Sequence, residues 1–87
     1  MNTFLLNISS PDGKLFSGKV TGLVVRGVAG DLMVLAGHIP FITNVKAGTR
    51  CAVHLTDGSV REGVTEGGLL TVGKDEVTYL TAGIEWD

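Results

Sequence analysis

The chain has 87 residues, 44% of them apolar and 18% charged, with a formal net charge of −2, 13 glycines and one cysteine. Such an apolar composition excludes disorder, and seven scattered Lys and Arg with no basic stripe leave too little counterion release to drive nucleic-acid binding. No apolar run approaches the roughly 20 residues of a membrane helix, and Met1-Asn2-Thr3 lacks the basic start of a secretory signal. Lone Cys51 cannot form an internal disulfide, so the expectation is one soluble, intracellular domain over residues 1–87.

Alternation predicts a first strand with Phe4, Leu6 and Ile8 on one face and Thr3, Asn7 and Ser9 on the other. Ser10-Pro11-Asp12-Gly13-Lys14 reads as a turn: Pro11 presets φ, Asp12 can bond its own backbone, and Gly13 tolerates positive φ. A strand resumes at Leu15 and runs to about Arg26. Phe16, Gly18 and Val20 share a parity that Leu23-Val24-Val25 does not keep, so Gly22 is a candidate bulge. The apolar run Leu32-Met33-Val34-Leu35 is too short for most helices. Asp31 precedes it, and a turn containing Gly37-His38 and Pro40 follows. Met33, Ile39 and Phe41 cluster in or around loops, where they either form an exposed patch or turn inward to cap the fold.

Asp57-Gly58 predicts a type I′ hairpin in which Thr56 faces Ser59, Leu55 faces Val60, His54 faces Arg61 and Val53 faces Glu62. That register sets Glu62 on the apolar face. Further strands are expected over Leu69–Val72 and Glu76–Ala82, joined at Gly73-Lys74-Asp75. Recurrent glycine and β-branched residues leave no window for a helix. The fold class is therefore all-β: a small β-sandwich or flattened barrel of about 8–10 short antiparallel strands.

Candidate chemistry is thin. Gly68-Leu-Leu-Thr-Val-Gly73-Lys74 matches most of a phosphate loop, but Asp75 replaces the required Ser or Thr and a strand follows where a helix is needed. His38, Cys51 and His54 are too few for a closed zinc site, and Cys51 and His54 alternate to opposite faces of a strand. No Gly-x-Ser-x-Gly elbow exists, and no acid pair suggests split pKa values. No catalytic, metal or cofactor-binding residue is assigned.

The ordered set Phe16-Ser17-Gly18, Gly37-His38, Pro40, Lys46, Gly48, Gly67-Gly68, Val77-Thr78 and Leu80 closely resembles the N-terminal β-sandwich domain of the F-type ATP synthase epsilon subunit, over essentially the whole chain. Three departures stand out. Asp31 replaces the usual Glu, Met33 a common Gly, and Ala36 the Pro before Gly-His. The family usually continues into an inhibitory two-helix domain, which the resemblance leads one to expect this chain lacks.

The resemblance implies a non-catalytic central-stalk subunit that couples the c-ring to gamma during proton-driven ATP synthesis. It would work without a cofactor, be peripheral to the membrane through the complex, and sit on the cytoplasmic face. It puts Gly30, Asp31 and Met33 on the c-ring side, and His38, Phe41, Thr43, Glu66, Gly67 and Gly68 on the gamma side. The rival is a free-standing ligand- or glycan-binding module, which a pocket lined by Trp86 or Tyr79 plus polar groups would favour.

Overall fold

The longest element of the computed structural model, which describes residues 2–37 and 39–87, is a 15-residue strand, β2 (Gly13–Gly27). Before it comes β1 (Phe4–Ser10); after it come β3 (Gly30–Leu35), β4 (Phe41–Val45), β5 (Thr49–Leu55), β6 (Val60–Thr65), β7 (Gly68–Val72), β8 (Glu76–Thr81) and β9 (Ile84–Trp86). The described residues contain no helix. Met33 and Phe41, expected in or around loops, lie instead within β3 and at the start of β4.

The two layers share β2. Its first half pairs with β1 from Phe4↔Val20 to Ser10↔Gly13, and β1 continues through β8 and β7 to β4. Its second half pairs with β3 on one edge and β5 on the other, and β5 continues to β6 and β9. The changeover coincides with a register shift between Val20 and Gly22, where Thr21 is the extra residue. This bulge is the irregularity that the parity break announced. A single pairing, Gly27↔Val45, joins β2 to β4, so the ladder closes imperfectly and the body is a sandwich rather than a clean barrel. One pairing departs from the antiparallel expectation: β1 runs parallel to β8 from Leu5↔Glu76 to Ser9↔Leu80.

Alternation fills the interior. Phe4, Leu6 and Ile8 of β1 meet Val20, Leu23 and Val25 of β2, Val34, Val45, Cys51 and Val53, and Leu70, Val72, Val77 and Tyr79 in one cluster. Burying each such side chain is worth about 1.5–3 kcal/mol, which a chain this size needs from nearly every inward position. Beside the cluster sits a satisfied polar knot. Thr65 Oγ1 and Tyr79 Oη lie 2.5 Å apart, Gly67 N donates to Thr65 Oγ1, and Thr81 Oγ1 donates to Gly67 O at 2.6 Å. It ties β6 and β8 to the turn leading into β7.

The β5–β6 hairpin corrects the sequence reading by one residue. His54 faces Val60, Val53 faces Arg61, Ala52 faces Glu62 and Cys51 faces Gly63. The reason lies in Asp57, which keeps negative φ because only glycines take positive φ here, whereas a type I′ turn needs positive φ at both centres. Instead Gly58 N donates to Leu55 O at 3.2 Å, Gly58 takes φ of +89°, and Leu55 N donates to Ser59 O. That is the three-residue loop of a type I turn followed by a glycine bulge. Asp57 Oδ1 holds it by accepting from Ser59 N at 2.9 Å. The slip turns Glu62 to solvent beside Ala52 and removes the misfit.

Gly68 shows how little slack remains. Its φ is +153°, and a Cβ there would fall 1.9 Å from Leu80 O. Gly68→Ala is expected to lower unfolding free energy by about 3 kcal/mol in urea titrations, from overpacking and backbone strain. Thr65→Val strips the knot of its shared hydroxyl and should cost about 2 kcal/mol, more than Tyr79→Phe.

Burial pushes the Cys51 thiol up from its ordinary 9.0 and the Tyr79 phenol up from 10.0. Below those values both groups keep their protons folded or unfolded, so the stability is fully present. As pH rises past them the unfolded chain ionises first, and stability is lost through the raised folded values. Urea midpoints measured at about pH 8 and about pH 10 should therefore fall, with a shallower decline in Cys51→Ala.

Candidate functional site

Asp31, the second residue of β3, stands directly opposite Arg26 of β2, across a hairpin whose turn is Val28-Ala29. Partners opposite each other share a face, and Arg26 Nε donates to Asp31 Oδ1 at 3.0 Å. The hairpin tip therefore carries an ion pair rather than a lone acid. Both side chains stay over half exposed (53% and 70%), so solvent screens the pair and it adds little to stability. Met33 faces Val24, and its Cε lies 3.1 Å from where a Cβ on Gly22 would stand, so the side chain roofs the bulge.

The residues assigned by resemblance to two different sides partly converge. Gly30 and Asp31 line one groove of about 310 Å³ together with Gly27, Leu32, Phe41 and Thr43, between the free edge of β3 and the start of β4. Phe41 packs inward against the core, while its neighbour Ile42 is 66% exposed. Glu66 is exposed, Gly67 buried and Gly68, the first residue of β7, half-buried. That turn is pinned to the end of β4, since a Cβ on Gly67 would strike Val45 O and Ala47 N at 2.7 Å. His38 lies outside the described residues.

The two outer faces differ in charge. On the β4–β7–β8–β1 layer, cross-strand rows put Asn44, Leu69, Leu80 and Ser9 side by side, and Ile42, Thr71, Thr78 and Asn7 beside them. Neither row holds a charged side chain, and Ile42, Leu69 and Leu80 are all exposed; charge returns in the next row of the same face, where Leu5 stands between Glu76 and Lys19. The opposite layer carries Arg26, Asp31, Arg50 and Glu62 around a groove of about 460 Å³ floored by Val24 and Ala52. There Arg50 pairs with Asp87, while on the inward side of the β6–β9 edge the Arg61 guanidinium carbon stands 4.1 Å from the Trp86 ring centroid. These contacts strap β9 to the edge of β6.

Sequence reasoning missed Ile42, Leu69, Leu80 and Arg26. In Phe41-Ile42 and Leu69-Leu70 both parities are apolar, so alternation cannot tell the outward residue from the inward one. Arg26 signals itself only once the hairpin register is known. Among the described residues no three His, Cys, Asp or Glu side chains converge on a metal-sized space, and no helix is long and apolar enough to cross a membrane. Tyr79 is buried in the core, and neither it nor Trp86 lines the two grooves described above.

Residues 3–87 match the family model for the ATP synthase delta/epsilon chain, β-sandwich domain. The chain belongs to that family. It is 40% identical over 86 residues to the ATP synthase epsilon chain of Alkalihalophilus pseudofirmus, which covers 98% of this chain and 62% of the relative. It is 37% identical over 84 residues to the sodium-ion-specific ATP synthase epsilon chain of Acetobacterium woodii, covering 97% of this chain and again 62% of the relative. The chain thus spans less than two thirds of the length of these relatives. A chain of the Euglena gracilis mitochondrial ATP synthase shares the fold with a TM-score of 0.89 at 22% identity, over 97% of this chain and 53% of that one.

Because the Arg26–Asp31 pair is open to solvent, Asp31→Asn should move the unfolding free energy by no more than about 0.5 kcal/mol in urea melts, leaving a folded variant for binding studies.

Proposed function

We propose that the protein is a non-catalytic central-stalk subunit of a rotary ATP synthase, coupling the c-ring to gamma, with catalysis residing in other chains. In this role it needs no cofactor, and it is held at the cytoplasmic face of the cell membrane only through the complex. The observation that carries the reading is the pair of uncharged rows through Ile42, Leu69 and Leu80, bordered on the same face by a row that holds Glu76 and Lys19. Interface cores are depleted of charge and enriched in apolar contact, whereas a solvated sheet face ordinarily alternates charged residues outward. The gamma side then includes this face together with His38, Phe41, Thr43 and the Glu66-Gly67-Gly68 turn. Phe41 and Thr43 act from inside by holding β4 against the core. The c-ring side is the hairpin tip with Gly30, Asp31 and Met33.

Membership in the delta/epsilon family supports the same reading, as do the assemblies of the fold relatives, one of which is a central stalk with c-ring from Tetrahymena thermophila. Torque transmission suits a body closed on most edges by hydrogen-bond ladders, since twisting it breaks many bonds at once.

Co-expression with gamma tests the proposal. The two chains should co-elute in gel filtration at micromolar concentration, and Leu80→Lys should weaken the complex by at least about 30-fold, as expected for a buried apolar anchor. Two independent peaks for the unmodified pair would count against the reading.

A further inference from the structure

We infer that Asp12 is a covalent modification site, where the Asp12–Gly13 link isomerises to isoaspartate in the folded chain, and that the turn at Asp57-Gly58 shields an identical dipeptide from the same reaction. The inference is independent of the central-stalk reading.

The sequence contains Asp-Gly twice, at Asp12-Gly13 and at Asp57-Gly58. In such a dipeptide the glycine nitrogen can attack the aspartate Cγ, because no Cβ on the following residue obstructs the approach. A Cγ–N bond forms, the nitrogen gives up its proton, and a carboxyl oxygen leaves as water. Water then adds to the backbone carbonyl carbon of the aspartate and breaks that carbon's bond to nitrogen. The chain now runs through Cγ, with its mass unchanged and one backbone atom more. Closure of the ring needs a carboxyl group free to turn toward the nitrogen. It also needs that group to be protonated part of the time, so that water and not oxide departs.

The two turns differ at the carboxyl group. Asp57 Oδ1 accepts from Ser59 Oγ at 2.5 Å and from Ser59 N at 2.9 Å. Both bonds favour the ionised form and hold the group below its ordinary 3.8. Gly58 N donates to Leu55 O at 3.2 Å, so the attacking nitrogen is engaged as well. Asp12 is exposed, and its carboxylate accepts no hydrogen bond and joins no ion pair among the described residues. Its turn closes without it: Asp12 N donates to Ser10 Oγ at 3.2 Å, and Ser10 Oγ donates to Gly13 O at 3.3 Å. Space is not the difference, since a Cβ on either Gly13 or Gly58 would meet nothing within 4 Å. Ser10 pairs with Gly13, so the extra atom enters the two-residue loop Pro11-Asp12, and Pro11 shares a shallow groove with Ser9, Leu80 and Thr81.

The test ages the full chain at neutral pH, folded and in urea, and maps its tryptic peptides 1–14 and 51–61 with methyl transfer by an isoaspartate methyltransferase as second readout. Deamidation of Asn2 or Asn7 changes the mass of the first peptide, whereas isomerisation of Asp12 does not. In the folded chain Asp12 should isomerise at least about tenfold faster than Asp57, the worth of the hydrogen bonds that hold the second carboxylate. In urea both turns are lost and the two rates should converge. Ser59→Ala should raise the folded rate at Asp57 about fivefold, as expected for one hydrogen bond, and leave the urea rate unchanged. Asp12→Glu should remove most methyl acceptance by the folded chain. Equal rates at the two sites when folded, a gap that persists in urea, or an unchanged Asp57 rate in Ser59→Ala would each overturn the inference.

Discussion

A β-strand can serve two layers only if it bends where it leaves one and enters the other, and in this protein β2 does so at Thr21 and Gly22. Up to Val20 its inward residues face β1; past Gly22 the same strand lies between β3 and β5. The extra residue flips the parity, so Val20 and then Leu23 and Val25 all reach the same interior. Without the flip, one half of β2 would turn its valines to water. Gly22 suits the bend because Met33 and Leu35 close over it, leaving only 3.1–3.4 Å of clearance for any side chain.

From that shared strand follows the placement of everything functional. The β2–β3 hairpin projects from the second half of β2, so its ion pair sits at the end of the sandwich. The single link Gly27↔Val45 brings the end of β4 alongside it. One layer thus presents two uncharged rows on its outer face, with Glu76 and Lys19 at their border, and the other carries the Arg26–Asp31 and Arg50–Asp87 pairs. Two faces of different chemistry on one rigid body suit the proposed role of a spacer between unlike partners. The polar knot of Thr65, Tyr79 and Thr81 adds to the rigidity, since each buried hydroxyl would cost free energy if the neighbouring strand shifted.

The hairpin at Asp57-Gly58 shows where local reasoning stops. The dipeptide does mark a turn, but two turn types accept it, and they differ by one residue in register. The choice falls to the Asp57 carboxylate, which bonds Ser59 and favours negative φ, and to the strands, which gain by burying Gly63 against Trp86 and sending Glu62 outward. Neither influence is visible until both strands are laid beside their neighbours.

The core-facing alternation of β1, the break at Gly22, the strands flanking Gly73-Lys74-Asp75 and the all-β class were legible in the chain alone, because period-2 burial and glycine punctuation are local properties. So were the ordered motifs that tie it to its family. Tertiary structure decided the parallel pairing of β1 with β8, the hairpin register, and which member of Phe41-Ile42 and Leu69-Leu70 faces outward. It also decided that Asp31 is partnered by Arg26. All four depend on contacts between residues distant in sequence or on cross-strand register, and an apolar pair or a lone charge looks the same in sequence whichever way its strand is turned.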